Sequence, residues 1–476
     1  MTDPNPNLPA RKIPGDYGPP FFGPIRDRFR YFYTEGEAHF FRARMQKHNS
    51  TVFRTNMPPG PFMARDPRVI CLLDALSFRT LFDNSRVEKR DVLDGTFVPS
   101  TSFTGRARAC AYLDPSEPKH ALLKAFFLDL LAKSHHKIVP LFRESLVGLF
   151  SGLEARVSSG GPSGFNDLSD SISFEFVFRL LCDGKSPSET ELGPDGPKLV
   201  DLWLFAQLAP LVKLGLKFVP SFLEDLILHT FPIPFALVKN GYAKLYRAFR
   251  DSAGPLLDEA EKLGFGRDEA CHNLVFLAGF NAYGGMKALF PILIKWVGSA
   301  GEALHRQLRA EIRAVFEPNG PVTLTGLDQL VLTKSVVYEA LRLDPPVPYQ
   351  YGRAKCDFDV RSHDSSFEVK KGEMLFGYQP FATRDPRVFE RADEFWAERF
   401  VGDGERLLEY VYWSNGPETE DPAVGNKQCP GKGMVVILCR LMLVEFFLRY
   451  DTFEVEVGRK MLGWDVKFKS LTRASD

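Results

Sequence analysis

The sequence is short of most features that mark a chain for the cell exterior or for nucleic acid. Its seven cysteines (Cys71, Cys110, Cys182, Cys271, Cys356, Cys429 and Cys439) are scattered, with no Cys-x-x-Cys pair. That argues against zinc fingers and against a secreted disulfide framework, and fits a reducing or protected compartment. Net charge is also missing: 60 basic residues cancel 60 acidic ones, so a nucleic-acid or general polyanion binder is not indicated. There is no internal repeat, no low-complexity tract and no Gly/Ser linker. A chain of 476 residues without such breaks is expected to form a single domain over residues 1–476. Residues 1–24 are polar and proline-rich, with no charged head followed by an apolar run, so neither a signal peptide nor a membrane anchor is expected. They are also serine-poor for a transit peptide. The expected location is the cytoplasm or a membrane face, with a plastid left open.

Two apolar stretches stand out. Residues 271–298 are long enough to span a bilayer, but His272, Asn273, Asn281, Lys287 and Lys295 lie within them. Burying such groups in lipid is expensive, so a long buried helix is expected. Residues 202–238 mix Leu, Phe, Trp and Ile with Lys213, Lys217 and several prolines. They read either as core or as an exposed apolar surface that rests on a membrane or lipid body, or admits a greasy substrate.

Short β-like runs at 51–56 and 69–73 are broken by Pro and Gly. From about His120 the apolar spacing becomes helical, with helices expected at 140–157, 167–182, 242–262, 267–297, 302–316, 330–343 and 432–450. Short alternating runs return at 358–360 and 366–369. The expected class is mainly α with a small β portion.

The chemistry begins at Asn426-Lys427-Gln428-Cys429-Pro430-Gly431-Lys432. A lone cysteine is usually a small buried hydrophobe. This one lies in a polar loop just before an apolar helix, where amide groups favour an anionic thiolate, and Gly431 leaves room for a flat macrocycle against the backbone. Upstream, Glu339-Ala340-Leu341-Arg342 and Glu398-Arg399-Phe400 supply a Glu and two Args able to form a buried cluster.

In that order and spacing, these motifs resemble the cytochrome P450 superfamily. The resemblance implies the P450 fold, with a long central helix across a buried haem b and Cys429 as the iron ligand. His120-x-x-x-Lys124 matches the helix that holds the haem propionates. The departures narrow it further. Monooxygenases carry an acid and an alcohol in the central helix to deliver protons to dioxygen, whereas this chain has Asn281-Ala282. Neither side chain relays protons in that way, so oxygen must arrive already reduced, as a hydroperoxide, with no reductase. Asn281-Ala282-Tyr283-Gly284-Gly285, Asn56-Met57-Pro58-Pro59-Gly60-Pro61 and Tyr112-Leu113-Asp114-Pro115 look like the plant fatty acid hydroperoxide enzymes: allene oxide synthase, hydroperoxide lyase and divinyl ether synthase. The resemblance implies that Asn281 contacts the hydroperoxide and that Lys89, His120, Lys124 and Lys427 contact propionates. Leu93, Phe97, Phe103, Phe276, Phe280 and Tyr283 are the expected pocket lining.

The branch is read from one position. Where the synthase pattern has a Phe, this chain has Leu93, which lacks the π face that stabilises a radical or cation. The expectation is therefore a lyase cutting 9- or 13-hydroperoxides of linoleic or linolenic acid into aldehydes and ω-oxo acids. Allene oxide synthase is the alternative, and a non-catalytic haem or lipid binder a further one.

Overall fold

The computed structural model describes residues 8–159, 163–317, 320–460 and 463–474; positions 1–7 of the proline-rich start lie outside these. The architecture is mainly helical with small sheets, as expected. The expected runs at 51–56 and 69–73 enter a five-stranded sheet, ordered Val52–Asn56, Arg68–Leu72, Met374–Tyr378, Tyr349–Ala354, Val87–Glu88, whereas those at 358–360 and 366–369 pair with each other in a separate hairpin, Phe358–Arg361 with Ser366–Val369. The middle strand of the five-stranded sheet, Met374–Tyr378, is buried throughout, because it pairs on both edges and is covered on both faces. This sheet carries Lys89 and Leu93 on the chain leaving its last strand.

The helical part is built around three long elements. The helix Pro118–Ser158 runs unbroken through Pro140, where the sequence expectation was a new helix. Apolar residues on either side of the proline, including Phe126, Phe127, Leu130, Ile138, Phe142 and Leu146, all enter one core, so packing holds the helix across the missing hydrogen bond. The central helix Arg267–Ala300 is, among the described residues, the one helix long and apolar enough to cross a membrane. It runs through the core instead, and Lys295 finds Asp344 at 2.5 Å and the Trp464 ring at 3.5 Å. The last of the three, Lys432–Arg449, follows the Cys429 loop. The final hairpin, Tyr450–Arg459 with Trp464–Arg473, covers one end of the core.

Glu339 sits on the helix Val331–Leu343 with its side chain fully buried. Arg342 meets it at 2.7 and 2.8 Å, and Arg399 at 3.0 Å. The spare guanidinium groups donate to the carbonyls of Thr383, Ala392, Glu390 and Arg391. A buried carboxylate that answers two cations is expensive to remove, because both charges are left unpaired in a dry site. Glu339→Ala is expected to cost about 3–5 kcal/mol, read as a lowered denaturant midpoint. An unchanged midpoint would contradict it.

Candidate active site

The Cys429 loop is pinned from behind. Gln428 is buried, and its Nε2 donates to Pro417 O at 2.6 Å. Its side chain lies on Gly416, where a Cβ would come within 2.9 Å of it. The turn from Trp413 to Gly416 thus supports the loop through Gln428. Asn426 Oδ1 accepts from Ala423 N at 3.1 Å and Gln428 N at 3.2 Å, closing the loop in front. The helix then begins with Lys432 N donating to Cys429 O at 3.2 Å.

Cys429 keeps accessible surface, as do Gly431, Met434 and Val435 beside it. Burial pushes its thiol up, while the Gly431 N–H and the Lys124 ammonium pull the other way. By contrast Cys71, Cys182, Cys271 and Cys439 are buried and raised chiefly by burial.

Around this loop the fold gathers basic side chains, with Asp114 and Glu117 near enough to offset part of their mutual repulsion. Lys89, His120 and Lys124 are buried, and Lys427 is half-buried. Lys89 Nζ donates to Tyr351 O at 2.7 Å, and Lys124 Nζ to Gln428 O. Lys427 Nζ donates to the carbonyls of Cys110, Ala111 and Leu113 at 3.1, 2.8 and 2.9 Å. None of the three lysines has a carboxylate partner in an ion pair among the described residues. Burial and the neighbouring Lys427 pull Lys89 down to about 7; burial and Lys124 pull Lys427 down to about 8. His120 is lowered to about 4 by burial and the same two lysines, and its Nδ1 has no hydrogen-bond partner. An unpaired buried nitrogen among repelling ammonium groups is a place built for an anion.

Asn281 lies in a π-helical turn of the central helix, Leu277–Tyr283. It is exposed although the helix is central, and its amide makes no hydrogen bond among the described residues. Partly accessible Leu277, Phe280, Gly284, Gly285 and Ala288 continue the same stripe. A Cβ on Gly285 would meet nothing within 4 Å, so open space adjoins the stripe. The amide is therefore not satisfied by nearby backbone; it is free for a ligand.

Not every expected lining residue shares that face. Tyr283 is fully buried on the opposite side of the helix. Its hydroxyl donates to Asp201 Oδ1 at 3.0 Å, and its ring packs edge-on against Phe174. Phe103 and Phe276 are core residues. Phe103 meets Phe235 at 5.3 Å, and Phe276 meets Tyr112 and Trp203 edge-on. Phe280, stacked on Phe276 at 4.7 Å, stays partly accessible. Leu93 is half-buried and Phe97 buried, in the segment after Lys89.

The motif Tyr112-Leu113-Asp114-Pro115 has a structural task. Asp114 is fully buried, and accepts from Lys89 N at 2.6 Å. Tyr112 O accepts from Asp91 N at 3.0 Å, and its hydroxyl bonds Asp94. This turn therefore holds the whole 89–95 segment in place. A buried-polar motif was the visible signal; its partner, far off in sequence, was not.

Residues 303–462 match the family described as Cytochrome P450. The chain is 56% identical to allene oxide synthase 3 of Solanum lycopersicum over 470 residues, 99% of this chain and 96% of the relative. It is 54% identical to the chloroplastic allene oxide synthase 1 of Solanum lycopersicum, covering 98% of this chain and 87% of the relative. Divinyl ether synthase CYP74D3 of Nicotiana tabacum is 52% identical, with 98% of each covered. The chain is a cytochrome P450. Within that superfamily it belongs to the plant subfamily of fatty acid hydroperoxide-metabolising enzymes.

Two expectations change. The lyase reading is overturned, because relatives named allene oxide synthase match at 50–56% identity, with the divinyl ether synthase beside them at 52%. Leu93 was one position. An aromatic face is still available at Phe280, on the helix that carries Asn281. The cytoplasmic reading is not supported either, since relatives named by compartment are chloroplastic.

A cytochrome P450 carries haem iron, and the residues present fit it. A cysteine with accessible surface lies beside a helix start, and buried cations with an orphaned histidine nitrogen await carboxylates. The pH dependence of haem retention follows. Lys89 and Lys427 lose charge near pH 7–8 in the protein alone, and propionates favour the charged form. Haem binding should therefore take up protons in that window, and affinity should fall as pH rises from about 7 to 9. Haem titration at several pH values checks this; a flat profile would contradict it.

Proposed function

We propose that this chain is an allene oxide synthase, a hydroperoxide dehydratase acting on unsaturated fatty acid hydroperoxides without dioxygen, NADPH or a reductase. The supporting observation is its near-complete alignment with relatives of that name. We take residues 1–476 as one haem-thiolate domain.

Cys429 would ligate the iron of haem b and Lys89, His120, Lys124 and Lys427 would pair with its propionates; the group would supply one-electron cleavage of the O–O bond and removal of one further electron. The rest falls to the chain. The free Asn281 amide holds the hydroperoxide by hydrogen bonds. Leu93, Phe97 and Phe280 offer an apolar wall that excludes water from the substrate radical and cation. After O–O cleavage the alkoxy oxygen closes onto the adjacent double bond. Loss of an electron and a carbon-bound proton yields the allene oxide, and the other peroxide oxygen leaves as water. Asn281-Ala282 offers no acid or alcohol to pass protons to dioxygen. Purified protein, kept anaerobic and without NADPH, should bleach the conjugated-diene absorbance of linolenic acid hydroperoxide. Dependence on NADPH plus dioxygen would overturn the reading.

We propose a membrane face as well, in the chloroplast that the relatives' names give. The helix Ser221–Leu228 is turned inside out: Glu224 and Asp225 are buried, whereas Phe222, Leu223, Leu226 and Ile227 are exposed. Phe218 beside it is 98% exposed, and Lys213 and Lys217 are exposed at its edge. Arg28 fixes this face, bonding Asp225 and the carbonyls of Pro59 and His229, next to exposed Phe21, Phe22 and Phe62. Acids inward and lysines outward suit an anionic bilayer. Changing Phe218 and Phe222 to Ser should abolish co-sedimentation with anionic vesicles; unchanged binding would remove this face.

A further inference from the structure

The central helix carries a polar cluster on the side away from Asn281. We propose that Tyr283, Asp201, Lys287 and Asp170 form a tether that positions Asn281, by pinning the π-helical turn in which it lies. The proposal rests on the catalytic reading given to Asn281 above.

A π-turn packs one residue too many into a helical turn, and it persists where surrounding contacts over-determine it. Here the contacts sit at its exit. Tyr283 is the last residue of the turn, two positions after Asn281, and donates to Asp201 Oδ1 at 3.0 Å. Lys287, one helical turn on, reaches the other oxygen of the same carboxylate, Asp201 Oδ2, at 3.0 Å. The same ammonium bonds Asp170 Oδ2 and lies 5.6 Å from the centre of the Tyr283 ring. Asp201 belongs to the helix Gly196–Leu208 and Asp170 to the helix Phe165–Leu181. Two neighbouring helices thus hold the central helix at both sides of one turn. The Tyr283 ring, closed in by Phe174 at 6.0 Å, cannot swing out to release it.

The cluster is poor as a stabiliser. Burial raises Asp170 to about 6 even beside Lys287. Asp170 Oδ1 and the hydroxyls of Ser169 and Ser173 have no partner. Well-packed apolar side chains of similar volume are often as stable as such an ion group, or more so. Its geometric specificity is what apolar side chains would not reproduce: a fixed rotation of Asn281 toward the accessible stripe. Asp201 also lies on the helix that leads toward the apolar face at 216–231, so the tether joins that end of the chain to the reacting amide.

Tyr283→Phe keeps the ring and removes the hydroxyl. It is expected to lower kcat about five-fold with KM within about two-fold. Deuterium uptake should rise in peptides covering 277–283 and not in Lys432–Arg449. Asp201→Asn should act alike, Lys287→Met more strongly, and Lys287→Arg should restore most of the rate by bridging both carboxylates. Wild-type kcat and exchange in Tyr283→Phe would overturn the proposal, as would a lowered melting temperature with kcat and KM unchanged. So would Lys287→Arg behaving as Lys287→Met. If the wild-type protein consumes no hydroperoxide, the functional reading fails by itself. The exchange measurement still decides the tether.

Discussion

Replacing Cys429 by serine is expected to abolish hydroperoxide turnover, by about 10³-fold or more, and to remove the thiolate signature from the ferrous carbon monoxide spectrum. A serine hydroxyl is a far weaker acid than a thiol and does not ionise in a site where burial already opposes charge, as it does for the Cys429 thiol. The Gly431 amide and Lys124 that help the thiolate are then aimed at a neutral oxygen. No other cysteine shares the loop between Gly416 and Lys432. The fold should survive, since the loop is fixed by Gln428 and Asn426 rather than by the sulfur. A serine variant that turns over hydroperoxide at the native rate would refute the haem-thiolate account.

The second large effect is expected at Asn281. Asn281→Ala should reduce kcat about 10–100-fold, the range for losing a polar group that meets reacting oxygen atoms. The melting temperature should not move, because the amide is exposed and has no hydrogen-bond partner among the described residues. That separation of rate from stability is the useful part. An amide that only filled a polar gap in the fold would give the reverse: a lower melting temperature with little change in rate. Asn281→Gln should recover only part of the rate, since the longer side chain moves the amide across the stripe formed by Phe280, Gly284 and Gly285.

Much of this site could be read in the chain before any coordinates. Cys429, Glu339, Arg342 and Arg399 are legible because each sits in a short motif whose residue types make sense only together. Asn281 is legible as a departure, an amide where an acid is normal. The lysines could be named, but not their lack of carboxylate ion pairs, which depends on three separate segments meeting. Tyr283 was misplaced for a local reason. The π-turn and the helical period put it on the opposite face from Asn281, and a run of aromatic residues does not show which way each points. The unbroken helix across Pro140 and the single sheet joining Val52–Asn56 to Tyr349–Ala354 were decided by packing between distant segments. The branch of the family was the least legible. Leu93 lacks a π face, but it is a single position, and the names borne by relatives of near-complete alignment outweigh it.

The most direct test of the central claim is product analysis. Linolenic acid hydroperoxide, as separate 9- and 13-isomers, is incubated with the purified protein and no reductant, and the products are resolved by mass spectrometry. An allene oxide, seen as its α- and γ-ketol hydrolysis products with net loss of one water before hydrolysis, is the expected result. Aldehydes with the matching ω-oxo acids, or divinyl ethers, as the main products would contradict it.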